Sequence, residues 1–138
     1  MNRLFSPHQV IIERTALQAL CDESNEHHDS VSSAFLALLD DFENDRLLIV
    51  AISDHVRPYR EWFDFKRRGP LAPVDTLHVG NQHRRAAHRM STVRDFDSAL
   101  TLVMCQRHKV TRMLTIDPYF TAFDIEVQLV GDRDGAGV

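Results

Sequence analysis

The run Leu47-Leu48-Ile49-Val50-Ala51-Ile52 constrains the fold more than any other stretch. It is short, rich in β-branched residues and uninterrupted by polar ones, as a buried strand requires. Val10-Ile11-Ile12 and Arg112-Met113-Leu114-Thr115-Ile116 share that character. Residues 74–79 predict a short further strand, and Ile125 to Val130 alternates like an edge strand. Between them the apolar spacing changes from strand-like to helical. Residues 15–20 predict a short helix. In residues 30–42, Val31, Ala34, Phe35, Leu38, Leu39 and Phe42 recur at three- and four-residue steps. A helix capped by Ser53 or Asp54 is expected to run through Phe65 and to end at Lys66-Arg67-Arg68-Gly69-Pro70. Residues 82–90 predict a basic helix. Residues 95–108 predict one that is apolar on most sides, with Leu102 in the core. Strands alternating with helices imply βαβ units and a mostly parallel sheet.

The chain of 138 residues predicts one domain over 1–130, followed by a frayed tail at 131–138. No apolar run approaches the roughly 18 residues of a membrane span. The N-terminus lacks a signal-peptide pattern, so the cytoplasm is the default expectation. Cys21 and Cys105 form no metal-type pair and read as free thiols. His27, His28, His55, His78, His83, His88 and His108 follow no zinc spacing and read as loop or surface residues. No nucleophile elbow or phosphate-binding glycine loop is present.

Charge is distributed unevenly. Residues 1–56 hold 3 Lys/Arg against 10 Asp/Glu, residues 57–94 hold 9 against 3, and residues 95–138 hold 4 against 7. The basic middle third suits phosphates or an acidic partner. Arg84, Arg85 and Arg89 are its candidate RNA-binding residues, and the last two are four apart on one predicted helix.

Three acids stand where a parallel sheet gathers ligands. Glu13 follows the first strand, Asp117 follows the strand at 112–116, and Asp97 lies in the first turn of the helix leading into that strand. Carboxylates brought together repel one another, and a hard cation such as Mg²⁺ or Mn²⁺ relieves the repulsion. Asp95 is a further acid at that helix start.

On these residues the chain resembles the PIN-domain ribonucleases, the VapC-type toxins in particular. The resemblance spans about residues 8–123. It rests on Val10-Ile11-Ile12-Glu13-Arg14-Thr15-Ala16-Leu17, the His27-His28 helix entry, Asp97-Ser98-Ala99-Leu100 and Leu114-Thr115-Ile116-Asp117-Pro118-Tyr119-Phe120. The last stretch is the most specific, because that family often ends there in Thr-x-Asp-x-x-Phe. The resemblance implies a three-layer α/β/α fold and a metal-dependent endoribonuclease. Glu13, Asp97 and Asp117 would be its catalytic metal ligands, and Thr15 and Thr115 auxiliaries. Asp95 and Glu61 are further auxiliary candidates. RNA, an antitoxin protein and a second copy of the chain are the implied partners. Two positions depart from the family. Glu13 replaces its first Asp, and Tyr59 falls where its second acid belongs, with Glu61 two residues on. These departures keep two other readings open: a PIN-like domain that binds RNA or protein without cutting, and an unrelated α/β binding domain.

Overall fold

The computed structural model describes residues 8–44, 46–63, 71, 73–90 and 92–130. The chain order is β1 (His8–Ile12), α1 (Arg14–Cys21), α2 (His28–Glu43), β2 (Leu47–Ile52), α3 (Ser53–Val56), a 3₁₀ turn (Arg57–Tyr59) and α4 (Arg60–Phe63). It continues with β3 (Asp75–Leu77), α5 (Asn81–His88), α6 (Phe96–His108), β4 (Arg112–Thr115), a second 3₁₀ turn (Pro118–Ala122) and β5 (Glu126–Leu129).

The strands form one sheet in the order β3-β2-β1-β4-β5. Every pairing is parallel, with Ile11 opposite Val50 on one side and Met113 on the other. Successive side chains of a strand point to opposite faces. Val10, Ile12, Ile49 and Ala51 therefore pack with Leu17, Val31 and Phe35 of α1 and α2. Ile11, Val50, Ile52 and Met113 pack with Leu100, Val103 and Met104 of α6 and Ala87 of α5. Two apolar layers on one sheet make the three-layer α/β/α architecture that the family resemblance implies.

The order reverses at β1. The chain steps outward to β2 and β3, then returns to pair β4 on the other flank. The C-terminal ends of β1 and β4 thus border a topological switch, the usual crevice of an open parallel sheet.

Three local expectations change. The helix after β2 is broken: Arg57–Tyr59 tightens into 3₁₀, with Pro58 at its start, between the single turns α3 and α4. Neither Ser53 nor Asp54 caps it, because the cap position is Ile52. Leu102 is half-buried, and Leu100 and Met104 fill the core of α6 instead. The basic stop at 66–70 and the tail at 131–138 lie outside the described residues. Cys21 and Cys105 are free thiols, and burial pushes each up to about 12. Among the described residues, no helix is long and apolar enough to cross a membrane.

Candidate active site

The crevice is built around a buried acid. β1 and β4 are tied at their ends by the Glu13 N–H, which donates to the Leu114 carbonyl at 2.9 Å. Glu13 is only 3% exposed. Its Oε1 accepts from the hydroxyls of Thr15 and of Thr115, the latter at 2.6 Å. The two hydroxyl oxygens lie 3.3 Å apart. Thr115 also accepts from the Asp117 N–H at 2.9 Å. One β4 side chain thus fixes both the first acid and the backbone that presents the last.

Asp117 starts the 3₁₀ turn, and its Oδ1 accepts from the Tyr119 N–H at 3.0 Å. Its Oδ2 accepts from Arg94 Nη2. Desolvation pushes the Asp117 carboxyl upward. The Arg94 hydrogen bond, the Tyr119 N–H and the guanidinium charge outweigh it and hold the group below its usual range. Arg94 Nε also lies 3.1 Å from Asp95 Oδ2 and donates to the Ser98 hydroxyl at 3.2 Å. Its guanidinium carbon stands 4.1 Å from the Tyr119 ring centroid. Asp95 is the N-cap of α6 and accepts from the Ser98 N–H at 2.7 Å. Desolvation works upward on Asp95 too, and the Ser98 hydrogen bonds and Arg94 reverse it.

Asp97, one residue inside α6, is half-exposed. His55 Nε2 lies 3.3 Å from its Oδ1, and Arg14 Nε lies 3.7 Å from its Oδ2. His55 is buried, contrary to its reading as a surface residue. Burial lowers its pKa despite the opposing pull of Asp97. The ring is therefore neutral near pH 7 and donates its Nε2–H to Asp97, a hydrogen bond rather than an ion pair. Arg14 Nε is buried without a hydrogen-bond acceptor.

Through Thr115 and Arg94 these contacts link Glu13, Asp117 and Asp95, and Arg14, next to Glu13 in the chain, reaches Asp97. Glu13, Asp95, Asp97 and Asp117 against Arg14 and Arg94 leave two formal negative charges, and every carboxylate offers hard oxygen donors. That donor chemistry and that charge fit one divalent cation. Among the described residues, however, no three His, Cys, Asp or Glu side chains are grouped closely enough to hold an ion. Glu61 is exposed on α4, outside these contacts, and Tyr59 packs against the α1–α2 core. Of the predicted RNA-binding residues, Arg85 and Arg89 are exposed, whereas Arg84 turns back to Asp54 at 3.2 Å.

Sequence reasoning missed Arg14, Arg94 and His55 as members of the crevice. Arg14 and Arg94 each adjoin a site acid in the chain, which is the one signal that pointed to them. His55 carried no such signal.

No protein-family model and no curated protein matches the sequence. Solved structures do match in shape. One is Mycobacterium tuberculosis VapC20, described as a sarcin-ricin loop cleaving toxin. It has a TM-score of 0.59 and 11% identity over 82% of this chain and 93% of that one. Another is VapBC2 from Rickettsia felis, solved bound to a DNA fragment from their promoter. It has a TM-score of 0.59 and 8% identity over 89% of this chain and 99% of that one. With its parallel sheet, its two helical layers and this likeness, the chain has the VapC-type PIN-like α/β/α fold.

Proposed function

We propose that this protein is a PIN-type endoribonuclease, the toxin half of a toxin–antitoxin pair. Glu13, Asp97 and Asp117 are its catalytic acids and the ligands of a Mg²⁺ or Mn²⁺ ion. The observation that carries this reading is the burial of Glu13. A carboxylate at 3% exposure, hydrogen-bonded by two neutral hydroxyls, is costly where an apolar side chain would pack. Its position at the sheet's switch point makes a functional role the better account.

When bound, such an ion would activate water and offset charge on a phosphodiester. The protein's own residues supply the frame. Thr15 and Thr115 fix Glu13 at one oxygen, so that its other oxygen has a single orientation. Asp95 anchors Arg94 beside Asp117. The partly exposed Arg14 guanidinium beside Asp97 offers N–H donors suited to a phosphate oxygen. His55 holds Asp97 in place without adding charge. Exposed Arg85 and Arg89 favour RNA through phosphate contacts. An antitoxin and a second copy of the chain are the protein partners this reading assigns.

The test is cleavage of a mixed RNA pool with Mn²⁺ or Mg²⁺, against the same protein in chelator and against Asp97→Asn. Metal-dependent fragments that disappear in the variant support the reading. Fragments that persist in chelator, or in Asp97→Asn, exclude it.

A second reading rests on the Arg94–Asp117 pair and on Tyr59 in place of the second acid. Arg94 already neutralises the last acid, as a domain that binds RNA without cutting it would allow. Tight RNA binding without metal-dependent fragments would favour this reading.

A further inference from the structure

A second concavity opens beside the carboxylate crevice, at the C-terminal ends of β2 and β3. It is a cleft of about 390 Å³ whose lining includes Asp54, Arg57, Arg60, Thr76, His78 and Arg84. Three arginines against one aspartate give it two formal positive charges. The carboxylate crevice carries two negative ones.

The arginines are arranged around Asp54. Arg84 Nη2 donates to both oxygens of Asp54, at 3.3 and 3.2 Å. Arg57 Nη2 lies 3.6 Å from Oδ1. Each guanidinium approaches Asp54 through one nitrogen, and a guanidinium has five N–H donors in a fixed fork. Asp54 can therefore order two forks and still leave donors for an anion. Arg60, one helical step beyond the 3₁₀ turn, lines the same cleft, as does the Thr76 side of β3. Arginine forks and hydroxyls around one concavity match a phosphate's oxygens, and arginine suits that geometry better than lysine.

α3 joins the two sites. Asp54 faces the cleft, and the next residue, His55, reaches Asp97 in the crevice. The gap between β2 and β3 lies two strand spacings, about 10 Å, from that between β1 and β4. A single strand lying along the C-terminal edge of the sheet would meet both.

We propose that the Arg57–Arg60–Arg84 cleft is a phosphate subsite for RNA, which holds a backbone phosphate flanking the one presented to the carboxylate crevice. The inference rests on the proposed ribonuclease reading for its ligand but not on cleavage. Asp54 is the positioning residue of this subsite, and the carboxylate crevice selects nothing in it.

The test is fluorescence anisotropy of a labelled single-stranded RNA oligonucleotide in chelator, at several salt concentrations, with the full chain. Arg57→Ala/Arg60→Ala removes two side chains at exposed positions. It should weaken binding and reduce the slope of log affinity against log salt by up to about 0.7, the value for one phosphate contact on a single strand. Arg46→Ala, at the opposite end of β2 and 65% exposed, should leave both unchanged. Asp54→Asn should weaken binding with a smaller change in slope, because it disorders the forks and removes no cation. Each variant's melting temperature is checked, and Arg60→Gln alone serves if the double variant is unstable. Unchanged affinity and slope in the arginine variants overturn the subsite, as does an equal loss in Arg46→Ala. Because binding is read without metal, loss of binding in a protein that never cleaves would sustain the subsite and remove the nuclease reading.

Discussion

Glu13 and Asp117 follow adjacent parallel strands and border the same crevice, yet their charges are met in opposite ways. Glu13 is enclosed at 3% exposure and receives two hydroxyls. Asp117 is met by a guanidinium, a backbone N–H and partial solvent. The two share a neighbour in Thr115, which donates to Glu13 and accepts from the Asp117 N–H. The buried acid is held by neutral hydroxyl dipoles. The outer one is matched by a cation that Asp95 and Ser98 hold in turn.

The sharpest break of that comparison is Glu13→Gln. The amide oxygen can still accept from both threonines, so the fold should hold, with a melting temperature within about 4 °C of wild type. Cleavage should fall by at least about a hundredfold, because the fixed charge is gone. A variant that unfolds would make Glu13 a structural acid. One that cleaves normally would remove it from the site.

Thr115→Val comes next. It keeps the volume but removes the hydroxyl from a fully buried position, leaving Glu13 and the Asp117 N–H short of a partner. A loss of about 1–3 kcal/mol in denaturant unfolding is expected. Its counterpart on the outer side, Arg94→Gln, should cost about 1 kcal/mol or less, since the guanidinium is more than a third exposed and solvent screens its pairs. Equal losses in the two variants would erase the distinction between the two acids.

The Arg94→Gln difference should also depend on pH. Asp117 and Asp95 are held below their ordinary value of 3.8 in the folded state. As pH falls, the unfolded chain takes up those protons first. The arginine's contribution is therefore complete above about pH 4, and wild type and variant should converge as pH drops further. Convergence at neutral pH instead would detach these shifts from Arg94.

The smallest effect belongs to His55→Gln, whose amide can still donate to Asp97. His55 titrates below its ordinary 6.5 when folded, so wild-type stability should decline as pH drops below 6.5, the unfolded state binding the extra proton. The variant should show a flatter slope there with nearly the same stability at pH 8. An unchanged slope would mean that the ring is not buried as neutral imidazole.

Much of this arrangement was legible in the chain. The strand Leu47–Ile52 matches its predicted bounds, because an apolar run between polar flanks leaves little choice of register. The positions of Glu13, Thr115 and Asp117 at strand ends follow from the same patterning, and Thr15 lies in the short helix expected after the first strand. Arg94 was read only as one of nine basic residues, because its partner Asp117 is 23 positions away and paired through space. His55 was read as a surface residue, since nothing in Ser53-Asp54-His55-Val56 shows that Asp97, 42 positions on, closes over it. The break at Arg57–Tyr59 was foreshadowed by Pro58, but where the helix resumes depends on packing.

The all-parallel sheet has a last consequence, which concerns when the crevice comes into being. Among the described residues no strand pairs with a hairpin neighbour, and Ile11 meets Met113 across about a hundred residues. Such distant pairings close late, because their loop entropy is lost before the contact rewards it. During synthesis from the N-terminus, β1, α1 and β2 emerge while β4 is still unmade. Glu13 then has no Thr115 and no Asp117 beside it. A nascent chain carries the first acid but no assembled site, and any partner that recognises the finished crevice meets only a completed molecule.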